Sequence, residues 1–447
     1  MTHMNIERGV ALLFFSLLLL ACNLGTNLNS GQEAVLPTPT QSEVELRCGD
    51  QLCETIKEIP DCMKDCGPNP FIHNIGTTLV DGNGEPIKLR GVNLGGWLHW
   101  EGWIWGGGLN GETAVREQLT ALVGADEMAS FEQQIYQNFI TEADIARIAN
   151  LGFNVVRLPI NHRLLEDDDQ PFVYKQSGWD ILDQFLDWCE KYNVYVVLTL
   201  HATPGGQSRL FTADPDPSLL WSSEKLQTRT AALWQAIAQR YKDREIIAGY
   251  DLLNEPAPPE NQDLLALYQL IIAAIRSVDP HHMVILEGAD LAHDFSLFEG
   301  PLSHNQAYSF HMYTWVGDKR TEQLADYNTI AEAHQVPMWN GEFGENEYEM
   351  LSSTIGLFEQ TDNNLVGWAF WTWKKAPNQY PYLMGINVPD DWQTVMDWVE
   401  WPKWPNTQPS AEDTQAAMAA FLRAISTENL LVDEKMVSSL IQWKDLP

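Results

Sequence analysis

From about Asn69 onward, apolar runs of strand length alternate with amphipathic helical stretches, and this alternation restricts the chain more than any other feature. Eight runs read as strands: residues 87–95, 153–160, 194–201, 247–254, 282–287, 307–313, 337–342 and 366–373. Each is rich in β-branched or aromatic residues and is bounded by turn formers. Most are apolar throughout, the pattern of strands covered on both faces. Between them a 3.6-residue period predicts helices over 141–151, 179–192, 223–241, 263–278, 321–334 and 349–361, with a last helix over 410–425. Eight strands separated by helices predict a closed parallel barrel wrapped in helices, a (β/α)8 fold of class α/β. A doubly wound open sheet is the alternative. It is disfavoured because no Gly-rich phosphate turn opens any of the helices.

The 447 residues, 45% of them hydrophobic, suffice for one barrel of that size with short additions. A formal net charge of −34 repels phosphate backbones, so no nucleic-acid partner is expected. At the N-terminus, Arg8 precedes an apolar run over 10–20 that is too short to span a bilayer and suits a signal peptide. The run ends Leu19-Leu20-Ala21-Cys22, which resembles the bacterial lipobox, with Cys22 as the lipidated residue. The expected location is therefore extracellular or at the cell surface, lipid-anchored to a bacterial membrane and touching it only through that anchor. Cys48, Cys53, Cys62 and Cys66 crowd one short stretch and, in an exported chain, read as two disulfides; a zinc site is the rival. Cys189, in a helical pattern, reads as a buried thiol. The expected order is a signal peptide over 1–22, a linker over 23–47, a Cys-rich module over 48–67, the barrel over 68–426 and a tail over 427–447.

Polar residues sit at one end of the strand runs. Arg157, His201, Asn254 with Glu255, His311 with Tyr313, Glu342 and Trp371 each lie at or near a C-terminal end. In a parallel barrel these ends converge on one face, where such folds keep their active sites. Two of the residues are glutamates, in Asn254-Glu255-Pro256 and Gly341-Glu342-Phe343. Glycoside hydrolysis commonly requires two carboxyl groups, one to protonate the leaving group and one to attack or to activate water. The 18 tryptophans fit a site that stacks on sugar rings, although most are expected in packing.

With His311-Met312-Tyr313 and Trp371, these motifs resemble glycoside hydrolase family 5, the retaining β-glycanases on a (β/α)8 TIM barrel. The resemblance covers about 87–374. Three further segments are similar to the fungal exo-1,3-β-glucanase type within it: Arg90-Gly91-Val92-Asn93-Leu94-Gly95-Gly96-Trp97-Leu98 with Glu101, 200–207, and Phe370-Trp371-Thr372-Trp373-Lys374. The chain departs from that type at Ala202-Thr203 and at His99-Trp100, both near the sugar-binding end. The resemblance implies Glu342 as nucleophile, kept ionised by Arg157 and bonded by Tyr313, and Glu255 as acid/base. It implies Asn254 on the sugar 2-hydroxyl, His201 and His311 lining the cleft, Trp371 as its floor, and Glu101 on the non-reducing sugar. Trp373 competes with Trp371, since a two-residue period points both to one side of a strand.

The implied partner is a β-glucan polysaccharide or oligosaccharide, favoured β-1,3 or mixed-linkage, bound by a monomer. A β-1,4-endoglucanase or mannanase shares the catalytic motifs, and a non-catalytic carbohydrate-binding surface protein is the more distant alternative. The chemistry needs no cofactor, and the barrel sequence shows no ligand cluster with metal spacing. The stretch 101–140 is expected to wall off one end of the cleft or to lie flat. Residues 376–409, rich in Trp and Pro, read as a rim over the site or as packing of the barrel end. His281 and His282 have no evident partner, and Asp167-Asp168-Asp169 reads as a solvated loop.

Overall fold

The computed structural model describes residues 69–445 apart from 217–218, 260–263, 315–316, 345–346, 361–362, 378–380 and 403–406. The readings for Cys22, Cys48, Cys53, Cys62 and Cys66 lie outside the described residues.

Eight strands close into an all-parallel barrel: β1 (Leu89–Asn93), β2 (Val155–Asn161), β3 (Tyr195–Ala202), β4 (Ile247–Asp251), β5 (Met283–Glu287), β6 (Gln306–Met312), β7 (Met338–Phe343) and β8 (Leu365–Phe370). Each pairs with the next, and β8 closes on β1 with Gly367 beside Leu89 and Phe370 beside Val92. Each of the eight predicted runs overlaps one barrel strand, with ends that differ by up to three residues. The helices are α1 (Glu112–Val123), α2 (Ala125–Asn138), α3 (Glu142–Asn150), α4 (Gln176–Tyr192), α5 (Glu224–Tyr241), α6 (Leu264–Arg276), α7 (Arg320–His334), α8 (Tyr348–Phe358), α9 (Asp390–Glu400), α10 (Ala411–Ala424) and α11 (Glu434–Ile441).

The barrel interior changes character along its axis. At the N-terminal end Leu89, Val155, Val197, Met283, Ile285 and Ala307 form an apolar plug, sealed from below by Ile72 and Leu79 of a small hairpin. Two residues further along the same inward faces, Arg157, Thr199 and Glu287 replace Val155, Val197 and Ile285. The two-residue period thus carries each strand from core to polar site. The other strand faces meet the helices in a second, larger core that includes buried Cys189.

Several expectations change. β4 stops at Asp251 and β8 at Phe370, short of 254 and 373, so Asn254, Glu255 and Trp371 lie in the loops that follow. Residues 101–140 hold two helices, α1 and α2, that add to the βα repeat. Between β5 and β6, where no helix was predicted, only the turn Ala289–Ala292 stands, and the rings of Phe295 and Phe298 cover Tyr308. In 376–409, α9 buries Trp392, stacked on Phe421 of α10 at 4.4 Å with its indole bonded to the Trp105 carbonyl. For Trp392 the packing reading therefore replaces the rim reading; Trp401 is exposed.

The segment after Thr427 is bound to the barrel domain and is no free tail. Leu431–Val432 pairs with Met384–Gly385, α11 buries Met436 and Leu440, and the Tyr348 hydroxyl donates to Asp433. His282 does have partners: it is buried, with Nδ1 2.6 Å from Asp279. Asp167, Asp168 and Asp169 are exposed, as a solvated loop should be, and Asp168 in addition bonds His162, Arg163 and Arg229, which hold its carboxyl well below the usual carboxylate range; the His162 bond is the largest influence.

Candidate active site

Arg157 leaves β2 into the barrel axis with no exposure to solvent. Its Nε donates to Asp251 (2.8 Å), Nη1 to Glu342 (2.6 Å) and Asn93 (3.1 Å), and Nη2 to Asn254 (2.7 Å), Glu287 (3.0 Å) and Thr199 (3.2 Å). A guanidinium is suited to this because its planar donors meet carboxylates at fixed angles and it stays charged when buried.

Glu342, near the end of β7, is held from two sides, by Arg157 on Oε1 and by the Tyr313 hydroxyl on Oε2 at 2.9 Å. Burial pushes its carboxyl above the usual range, against the opposing pull of His311 and Arg157. Glu255 sits where the chain turns after β4, with φ 47°, a left-handed conformation rare for glutamate. The Glu287 carboxylate accepts the Glu255 backbone N–H at 2.6 Å and so fixes that turn. His311 Nδ1 lies 2.9 Å from the Glu255 carboxylate, 3.6 Å from Glu342, and its Nε2 lies 3.2 Å from Glu287. Burial opposes a charge on His311, yet Glu287, Glu342 and Glu255 hold the imidazole well above its usual value. Carboxylate oxygens of Glu255 and Glu342 lie within 4.8 Å of each other.

The remaining expected residues gather on the same face, with one exception. His201 stacks on the Trp371 indole at 5.3 Å and 9°, and its Nε2 is 3.7 Å from Glu101 Oε1. Glu101 is buried, its other oxygen accepts from the Trp103 indole at 2.7 Å, and burial pushes its carboxyl up to about 8. Trp371 comes close because Gly95 has no side chain: a Cβ there would stand 2.9 Å from the indole. Asn254 accepts Arg157 on its Oδ1, which leaves the amide nitrogen as donor for a ligand. Gln207 ties two strand ends together, donating to the carbonyls of His201 and Asn254 at 2.7 Å each.

Trp373 is the exception. It is fully buried and donates to Asp144 at 3.0 Å, because β8 ends at Phe370 and the strand alternation does not extend to 373. Its substrate-binding assignment is withdrawn. Asp251, Glu287 and His99 were missed as site residues. Glu287 closes a predicted strand run, so its position was visible; nothing in the sequence said that it would face Arg157.

The Cellulase (glycosyl hydrolase family 5) model matches residues 111–377. The chain is 34% identical over 336 residues to a β-xylosidase of Phanerodontia chrysosporium, covering 67% of this chain and 70% of that protein. It is 31% identical over 357 residues to glucan 1,3-beta-glucosidase 1 of Schizosaccharomyces pombe, covering 67% of this chain and 86% of that protein. Among solved structures, rutinosidase from Aspergillus niger superposes with a TM-score of 0.53 at 19% identity, over 65% of this chain and 91% of that one, which bears on the fold alone.

Proposed function

The chain belongs to glycosyl hydrolase family 5 and is a glycoside hydrolase, and from that premise we propose that it is a retaining, exo-acting β-glucan hydrolase cleaving β-1,3 or mixed linkages. The approach of Glu255 and Glu342 carries the mechanism. One oxygen of each lies within 4.8 Å of the other, a closeness that suits direct attack by a carboxylate, where carboxyl groups stand about 5–5.5 Å apart, better than the about 6.5–9.5 Å separation that seats a water in inverting enzymes. Glu342, clamped by Arg157 and Tyr313, attacks the anomeric carbon; Glu255 protonates the leaving oxygen and then deprotonates the incoming water. Asn254 meets the 2-hydroxyl, and Trp371 lies under the sugar.

Support for exo action comes from Asp214, in the loop after β3. It accepts from Thr113 of α1 (2.8 Å), from Asn161 at the end of β2 (3.1 Å) and from Arg163 (2.5 Å), tying three strand-end loops into one wall beside Glu101. The 31% identity to a glucan 1,3-beta-glucosidase supports the linkage. The 34% identity to a β-xylosidase favours a second reading, a β-xyloside substrate. Hydrolysis of laminarin, lichenan, carboxymethyl-cellulose, mannan and xylo-oligosaccharides, with products read by chain length, separates these. Glucose alone from laminarin is expected; a ladder of products from cellulose would sink the exo-β-1,3 reading, and xylose as main product would establish the second. Export with a lipid anchor at Cys22 belongs to the same proposal, and Cys22→Ser is expected to move the protein from the membrane fraction to the medium.

A further inference from the structure

Beside the two glutamates lies a second cluster that the hydrolytic reaction does not require as a unit. His99, Glu101 and His201 are each 1–2% exposed, and one donor atom of each lies within 4.8 Å of the others. The two imidazole rings are 4.8 Å apart between centroids, and His201 Nε2 is 3.7 Å from Glu101 Oε1. Oε1 of Glu101 is buried without a hydrogen-bond partner among the described residues, and the His99 ring makes no close side-chain bond, with the Thr212 backbone and, at 4.0 Å, Glu112 as its nearest polar neighbours. An unsatisfied buried polar group costs about 1–3 kcal/mol, so an under-satisfied carboxylate oxygen between two imidazoles points to a ligand.

We propose that His99, Glu101 and His201 form a binding site for a divalent transition-metal ion of the zinc class, and that the ion and the sugar exclude each other there. Two imidazoles and one carboxylate are a common zinc donor set, and three protein ligands leave a coordination position open. Zinc bonds of about 2.0–2.2 Å place ligand atoms roughly 3.3–3.6 Å apart, a small contraction from the present cluster. The ligands are also oriented from behind: Trp103 fixes the far oxygen of Glu101, Trp371 stacks on His201, and Gln207 holds the His201 carbonyl. The other acid–imidazole group, Glu255, His311 and Glu342, is unsuited, because Arg157, Tyr313 and His311 already occupy its oxygens. Sequence spacing conceals the site, since two ligands follow β1 and the third ends β3.

Ion binding stands independently of the glycan reading; only the exclusion rests on it, through the placing of Glu101 and His201 against sugar hydroxyls. The test is calorimetric titration of the full chain with zinc chloride, for the natural protein, His99→Ala and Glu101→Gln. Outer contacts of a metal site change affinity by about 10–100-fold, so loss of a ligand is expected to weaken one equivalent by about 100-fold or more in each variant. Any zinc taken by the N-terminal cysteines is common to all three proteins and cancels in the comparison. Equal stoichiometry and affinity in all three would overturn the site. Glu101→Gln preserves side-chain shape and carries the test if His99→Ala does not fold. In the natural protein, zinc is expected to raise KM for laminarin and leave kcat unchanged; zinc bound at this site with KM unmoved overturns the exclusion. A protein that binds zinc as expected but hydrolyses no glycan separates failure of the functional reading from failure of the site.

Discussion

Arg157 donates to three carboxylates, and those carboxylates do different things: Asp251 and Glu287 anchor it, while Glu342 faces the cleft. Removing Glu342 or Glu255 tests the proposed division of roles. Glu342→Ala is expected to lower kcat by about 10⁴-fold or more and Glu255→Gln by about 10²–10⁴-fold, with unchanged circular dichroism. Near-normal turnover by Glu342→Ala would refute its role. Asp251 offers a test by pH. Burial and the Glu287 charge, against the pull of Arg157, push its carboxyl up to about 7. The folded state therefore keeps a proton that the unfolded chain has already lost, so this group makes stability fall as pH rises from about 4 through 7. Asp251→Asn removes that slope. Its unfolding free energy relative to the natural protein is expected to improve between pH 5 and pH 8, by roughly 3 kcal/mol at most. Parallel urea titrations at the two pH values check it, and an unchanged difference would refute the assignment.

At the level of elements, Asp144 joins three parts of the fold. It caps α3 through the box with Thr141, accepts from Trp373 and Thr427, and pairs with buried Lys374. Asp144→Ala leaves the ammonium of Lys374 buried without its counter-charge, at an expected cost of about 3–5 kcal/mol in urea unfolding; a loss below about 1 kcal/mol would show that the lysine finds water. Legibility varied with the element. The barrel strands and most of their helices could be read because each carries its own period and its own stop signals. The helices α1 and α2 within 101–140 were not among those read. Trp373 was misread because its alternation with Trp371 assumed a strand that had already ended.

For the whole molecule, the segment beyond Ser426 counts as part of the fold. It satisfies Asp144 through Thr427, extends a three-stranded sheet and lays α11 onto the barrel domain, with Arg90 over the Trp443 ring at 4.5 Å. A chain ending at Ser426 is expected to unfold several degrees lower in a thermal melt and to bind more of an apolar dye, because it uncovers surface that Met436 and Leu440 now bury. An unchanged melt would return the segment to the status of a tail.

The sequence alone determined the closed barrel, the face on which the polar residues meet, and the presence of two glutamates on that face. Those features follow from local period and from strand ends, which a linear pattern records. Only the tertiary structure decided that Glu287 pins the Glu255 turn, that Trp373 belongs to the core, and that His99, Glu101 and His201 converge. These are contacts between residues from different strands and loops. Their spacing in the chain bears no relation to their distance in space, so only closure of the barrel could bring them together.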